Sequence, residues 1–318
     1  MDLLDTIFET LALKGVVYFR TDFSGPWAVR VPELAPAARF HLVLQGQCSV
    51  AIDAGPVITL LPGDLIMVPK GRSHVVADRE GRLAAPLETV LSDAGFTGEG
   101  TLTLGEGDPR AAVRIFCGHF AFRPHAAHPL IDAMPDHIHV TAADRLANPW
   151  LDSVLQLIGQ RVLAEEGGRN SAGAATLIRL SEVVFIEVLR AGISADPTLS
   201  ALIAGLQDAQ IGRAVAAIHR APDRAWSVAE LAAEAGMSRS VFAERFLATI
   251  GQPPIGYLAE WRLQRALALL DEGRLGVQQI AAATGYRSAA SLSRAFAKRF
   301  GCSPSAHRRA GRPGNGVS

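Results

Sequence analysis

The chain has 318 residues, 49% apolar and 19% charged, with 31 basic against 31 acidic side chains; this composition supports a sizeable buried core and excludes a disordered tail or a polybasic peptide. No apolar run approaches the ~20 residues that span a bilayer, the opening residues carry acids where a secretory signal carries bases, and the cysteines Cys48, Cys117 and Cys302 are too few and too widely spaced for a disulfide framework, so a cytoplasmic protein with no membrane partner is expected. The zero net charge conceals an asymmetry: residues 207–318 hold 15 Arg and Lys against 8 Asp and Glu, a net of +7, and the upstream residues carry −7, so a domain that phosphate attracts is joined to an acidic one.

Up to about Phe122 the chain reads as β structure. Short apolar or alternating runs at 16–20, 28–31, 40–44, 49–52, 65–68 and 113–122 are separated by Gly and Pro, the pattern of a sandwich or small barrel. From about Pro129 the period becomes helical: residues 150–163 place Leu151, Val154, Leu155, Ile158 and Val162 on one stripe, and 174–189 do so with Leu177, Leu180, Val184 and Leu189. The run Glu166 to Ser171 is read as a loop between them. This hairpin serves either as a dimerisation element or as a cover for the barrel. From Ile211 to Arg309 the pattern is helical throughout. The fold class is therefore α+β and multidomain: a sensor domain at 1–123, a helical linker and dimerisation element at 124–206, an all-α domain at 207–310 and a tail at 311–318.

The all-α part contains a repeat. The run Leu231 to Met237 matches Ile280 to Tyr286 at an offset of 49, and beyond the turn Phe242 to Phe246 matches Leu292 to Phe296 at an offset of 50. Each copy has the parts of a helix-turn-helix: a short Ala-rich helix, a Gly suited to positive φ, and a second helix opening at Ser. Ser227 and Glu230 have capping-box spacing, and Ser238 and Ser288 are placed to cap the second helices. Phe242 and Phe246, like Leu292, Phe296 and Phe300, commit one face of each second helix to the core. The other face presents Arg239, Ser240, Ala243, Glu244 and Arg245 in the first copy; in the second it presents Ser291 and Arg294, with Arg287, Lys298 and Arg299 nearby. Arginine grips phosphate or takes guanine bidentately, and serine reaches either. Residues 257–270, with Trp261, Leu263, Leu267 and Leu270, read as a rigid strut setting the two heads into successive major grooves, about 34 Å apart.

These features, with Gly285-Tyr286-Arg287-Ser288, the run from Phe296 through Lys298-Arg299-Phe300-Gly301 to Pro304, and His307-Arg308, closely resemble the AraC/XylS family of transcription regulators over residues 211–309. The resemblance implies sequence-specific binding of double-stranded DNA, a homodimer, a small-molecule effector, transcriptional activation and RNA polymerase as a further partner. It implies base-facing positions at Ser240, Ala243 and Glu244 in the first head and at Ala290, Ser291 and Arg294 in the second. Ala243 and Ala290 have no side-chain hydrogen bond to offer, so Arg294 is expected to carry most discrimination, with a plain phosphate contact as its alternative role.

Upstream, Gly63, Pro69, Gly71 and His74 have the spacing of the second cupin motif, in which a hairpin turn, the strand 65–68 and a bend deliver His74 inward. With Gly25-Pro26-Trp27, residues 41–46, Cys117-Gly118-His119 and residues 129–135, the domain is similar to the cupin-type sensor of a subgroup of AraC regulators. The resemblance implies effector-binding positions at His41 and His74. The metal positions of enzymatic cupins read Arg39, His41, Gln45 and His74 here, which is incomplete. Cys117 and His119 alternate on one strand and would complete a zinc or other divalent-metal site with His41 and His74. The competing reading makes Cys117 a small buried hydrophobe and the histidines hydrogen-bonded pocket groups; no cofactor is certain. Two other readings of the whole chain are a metal-dependent cupin enzyme fused to a DNA-binding domain, disfavoured by the missing ligands, and a constitutive DNA-binding protein with a purely structural barrel.

Overall fold

The computed structural model describes residues 7, 14–34, 37–53, 55–98, 100–106, 108, 111–123, 128–164, 171–193 and 197–310. It divides into two compact units. One comprises Leu13–Phe122 and Met134–Leu199, the other Arg123–Ala133 and Ser200–Ser318 together with Met1–Ala12.

The first unit is a sandwich of two sheets. Strands β1 (Lys14–Phe23), β3 (Ala37–Gln45), β6 (Leu65–Val68), β9 (Thr101–Leu104), β10 (Val113–Ala121) and β11 (Ile138–Val140) form a six-stranded sheet in the order β11-β6-β3-β10-β1-β9. Strands β2 (Ala28–Val31), β4 (Cys48–Ile52), β5 (Val57–Leu60), β7 (His74–Ala77) and β8 (Ala85–Pro86) form the other, in the order β5-β4-β7-β2-β8. A short helix, α1 (Leu87–Asp93), follows β8. The six runs read as strands all become strands; β5, β7, β8, β9 and β11, each two to four residues long, lie outside those runs.

Alternation along β3 and β10 explains the architecture. Val43, Ile66, Val68, Ile115 and Cys117 point between the sheets, where they meet Phe23, Trp27, Val50 and Val76 in one apolar core. Phe40, Phe116 and Phe120 lie on the outer face, where Phe120 and Phe122 pack edge-on against Phe185. Phe185 belongs to α5 (Ser171–Ile193), which pairs with α4 (Pro149–Ala164). Leu151, Leu155, Ile158, Leu177, Val184 and Leu189 from the expected stripes are buried. The stripes therefore serve mainly to cover the sheet. Of the loop reading, residues 166–170 lie outside the described residues, and Ser171 is instead the first residue of α5.

The boundaries differ from those expected. Residues 124–206 are not one compact element: the helical hairpin joins the sheets, whereas Arg123–Ala133, which includes the short α2 (Pro129–Asp132), and most of α6 (Pro197–Gln207) join the all-α unit. The physical reason is burial, since the apolar face of α5 has a sheet to cover and no need of a separate core. Between β11 and α4 lies α3 (Ala142–Leu146).

The second unit continues with α7 (Ile211–Arg220), α8 (Val228–Ala235), α9 (Arg239–Ile250), α10 (Pro254–Glu272), α11 (Val277–Ala283), α12 (Ala289–Phe300) and α13 (Pro304–Ala310). Ile280, Ala281, Leu292, Phe296 and Phe300 close the second head over Leu263, Leu267 and Leu270 of α10. Among the described residues no helix is long and apolar enough to cross a membrane.

Candidate nucleic-acid interface and sensor cavity

Helices α8 and α9, and likewise α11 and α12, meet at turns where Gly236 and Gly285 take φ of 67° and 75°. Ser227 accepts from the Glu230 amide at 3.2 Å while the Glu230 carboxylate takes the Ser227 amide at 2.8 Å, so the capping box forms as expected. Ser288 also caps, accepting from the Ser291 amide at 3.1 Å. Ser238 occupies the N-cap position of α9 with extended backbone, but its side chain makes no cap hydrogen bond. That part of the expectation is corrected.

The candidate DNA-contacting residues separate into three groups. Arg239, Ser240, Glu244, Arg287, Ala290, Arg294 and Lys298 are exposed, and Ala243 is half-buried on the same helix as its neighbours. Among the described ion pairs none involves Arg239, Arg287, Arg294 or Lys298. Arg245, by contrast, is turned away: it donates to Asp208 at 2.6 Å and to Gln210 at 2.9 Å, holding α9 to the start of α7. Arg299 is likewise spent on Glu260 of α10 at 2.9 Å. The Ser291 hydroxyl donates to the Ser288 carbonyl at 2.7 Å and accepts from the Ser288 amide at 3.1 Å, so it is occupied in the cap. Sequence spacing cannot show this, because a serine at N3 can serve either the cap or a base.

In the sandwich, the bend that delivers His74 forms as expected. Gly71 there has φ of 63°, and a Cβ added to it would lie 2.1 Å from the Leu34 carbonyl oxygen, so no other residue fits. Registers place Arg39 opposite His119 and His41 opposite Cys117 on the inner face of β3 and β10. His74 comes from the other sheet. Its Nδ1 lies 2.9 Å from the Arg72 carbonyl and must donate to it, which leaves Nε2 as an acceptor. His41 then donates from Nε2 to His74 Nε2 at 2.7 Å and accepts at Nδ1 from the Cys117 thiol at 3.1 Å. Every group in this chain is neutral, as burial requires: desolvation holds His74 down at about 4, His41 well below its ordinary value, and the Cys117 thiol above its own.

The four side chains expected to share zinc are not arranged to do so. Cys117 and His74 lie on opposite edges of the His41 ring, so one ion cannot meet all three. Among the described residues no group of three or more His, Cys, Asp and Glu side chains could hold a metal ion. The residues do not fit the group.

His41, Cys117, Arg39 and His119 instead form the polar end of a cavity of about 180 Å³ whose other walls include Phe19, Phe23, Val29, Leu102 and Ile115. A larger groove of about 1190 Å³ on the same unit is lined by Asp53, Arg72, Asp136, His137, His139, Glu187 and Arg190. Its charges already serve one another: Arg72 bridges Asp53 and Asp136 at 2.7 Å each, and Arg190 pairs with Glu187 at 3.2 Å.

The sequence carried no signal for one further cluster. Directly after β10, Arg123 donates to the Leu267 carbonyl at 3.4 Å and pairs with Asp271, both on α10. Its side chain is 9% exposed, and Asp271 also pairs with His307 of α13 at 2.8 Å. Farther along, His128 accepts from the Leu130 amide at 3.1 Å and donates to the Tyr257 hydroxyl at 3.0 Å, which in turn donates to His219 at 2.7 Å. The segment leaving the sensor strand is thus anchored on the helix that joins the two heads. His125, to which the sequence assigns at most a metal contact, lies outside the described residues.

A cupin sandwich joined to tandem helix-turn-helix heads on a basic unit defines a DNA-binding regulator. Residues 2–194 match a cupin family and residues 231–310 match a helix-turn-helix domain family. An AraC-like transcription regulator of Streptomyces antibioticus is 32% identical over 97% of this chain and 99% of its own length. The transcriptional regulator AlkR of Acinetobacter baylyi is 29% identical over 97% and 99%. The crystallised DNA-binding domain of the transcription factor AdpA, in complex with a target DNA, is 34% identical over 32% of this chain and 93% of its own, with a TM-score of 0.31. The chain belongs to the AraC-like family of transcription regulators, with a cupin-type N-terminal domain. It is a DNA-binding regulator rather than an enzyme.

Proposed function

We propose that this regulator is switched by a small molecule held in the cavity between the two sheets, and that the signal reaches DNA through β10. The observation that carries the reading is one of connectivity. Cys117 and His119 of β10 line the cavity, and the residues that continue β10 are fastened by Arg123 and His128 to α10, the helix carrying both heads. A ligand that prefers one setting of β10 biases α10, and coupling requires only that preference. Arg294, exposed and in none of the described ion pairs, is the main base-reading side chain, while Arg287 and Lys298 serve phosphate. The regulator acts as a homodimer: Trp150 and Leu157, seven residues apart on α4, are 78% and 41% exposed and offer an apolar stripe that the sheet does not use. Activation through RNA polymerase follows the family pattern.

The test is a thermal-shift screen of the full chain, with each stabilising compound then titrated into a DNA-binding assay. Such compounds should change DNA affinity at least about fivefold, and Arg123→Ala should bind them unchanged while losing most of that change. Stabilising compounds that leave DNA affinity untouched would refute the reading.

A further inference from the structure

The polar groups of the sensor cavity can be counted against their partners. Thr21 donates to the Ile115 carbonyl and accepts from the Ile115 amide at 3.1 Å. Both nitrogens of His41 and the Cys117 thiol are engaged in the relay. Arg39 is different. A guanidinium has five N–H donors, yet the contacts shown for this one are a single long bond of 3.4 Å from Nη2 to the Pro32 carbonyl. Its Nε is shielded from solvent and has no partner. Among the described ion pairs no carboxylate faces it, and the nearby Cys117 is a neutral thiol, so it supplies no countercharge.

Arg39 is half-buried, and a guanidinium partly desolvated against an apolar cavity, with no carboxylate among the described residues to face it, gains from a ligand that supplies the missing charge. We infer that the cavity takes a small monocarboxylate with an apolar body, its carboxylate held bidentately by Arg39 and its body among Phe19, Phe23, Val29 and Leu102. This rests on the reading of the cavity as the effector site. The fork of the guanidinium matches a carboxylate in shape. One cation selects one negative charge: burial lowers His119, so it adds no second positive charge, and a dianionic phosphate ester would bring in an uncompensated one. The volume sets the size. About 180 Å³ is the share of roughly six waters at about 30 Å³ each, which suits an acid of roughly six to ten non-hydrogen atoms.

The experiment is calorimetric titration of the full chain with hexanoate, hexanamide and 1-hexanol, together with Arg39→Met and Arg39→Lys. Hexanoate should bind the wild-type chain at least about tenfold more tightly than either neutral compound. Arg39→Met should lose that preference while binding hexanamide as before, and Arg39→Lys should keep part of it; melting curves establish that each variant is folded. Equal binding of the amide, undiminished hexanoate binding by Arg39→Met, or no hexanoate binding at all overturns the inference. A neutral compound that binds and shifts DNA affinity would sink the carboxylate but spare the effector reading. Hexanoate that binds through Arg39 without shifting DNA affinity would do the reverse.

Discussion

The imidazoles of His41 and His74 meet Nε2 to Nε2 at 2.7 Å, one ring from each sheet of the sandwich. Two ligand nitrogens on a tetrahedral zinc ion stand farther apart, at roughly 3.3 Å. The contact is therefore a hydrogen bond that ties the sheets and orients the Cys117 thiol. Replacing His41 with alanine leaves a buried thiol and a buried imidazole nitrogen without partners and opens a void, so the sensor unit should lose about 3 kcal/mol in urea denaturation. A chelator should leave the wild-type midpoint where it is. A large drop on chelation would restore the metal reading.

Arg294 and Lys298 are both exposed on α12, but they should fail in different ways. In selection of bound DNA from a random pool, Arg294→Ala should lose preference at one base position, worth about 1–3 kcal/mol. Lys298→Ala should weaken binding to every sequence and reduce the salt slope by about one. If Arg294→Ala retains the wild-type preference, its contact is with phosphate.

Gly285 combines positive φ with a close overlying side chain. A Cβ there would fall 2.7 Å from Arg262 Nη2, and Arg262 is held by the Pro222 carbonyl at 2.7 Å and the Arg224 carbonyl at 2.8 Å. Gly285→Ala should cost about 2–3 kcal/mol, part from the left-handed backbone and part from displacing the guanidinium. In an Arg262→Ala background only the backbone part should remain. Strict additivity in that double-mutant cycle would show that the two do not clash.

Acid should destabilise the all-α unit through its buried neutral histidines. His128 is held at about 3 by desolvation, and His219 lies well below its ordinary value for the same reason. An unfolded histidine takes its proton near 6.5, so the stability present above that pH is lost as pH falls from there toward the folded value. At about pH 5 the loss is about 2 kcal/mol for His128, and His219 adds to it in the same direction. Denaturation at about pH 7.5 and about pH 5 should show this fall, and His128→Gln should show it reduced by about one histidine's share. An unchanged slope in the variant would mean that His128 is already protonated in the fold.

Much of this protein is written locally. The two heads follow from a repeat with glycine at the turn and phenylalanine at helical spacing, and the bend before His74 follows from Gly71; each depends on neighbours within a few residues, where period and backbone strain act directly. Tertiary structure decided matters of partnership. Arg245 and Arg299 look like DNA contacts in the sequence but are claimed by Asp208 and Glu260, 37 and 39 residues away. Cys117 and His74 point toward a shared metal in the sequence but are set on opposite edges of His41. The anchoring of Arg123 on Asp271 spans 148 residues, and Arg39 stands out only because its Nε has no partner and, among the described ion pairs, no carboxylate faces it. A side chain's type and spacing state what it can bind; which of those bonds remains free for a ligand depends on what the folded chain has already brought within reach.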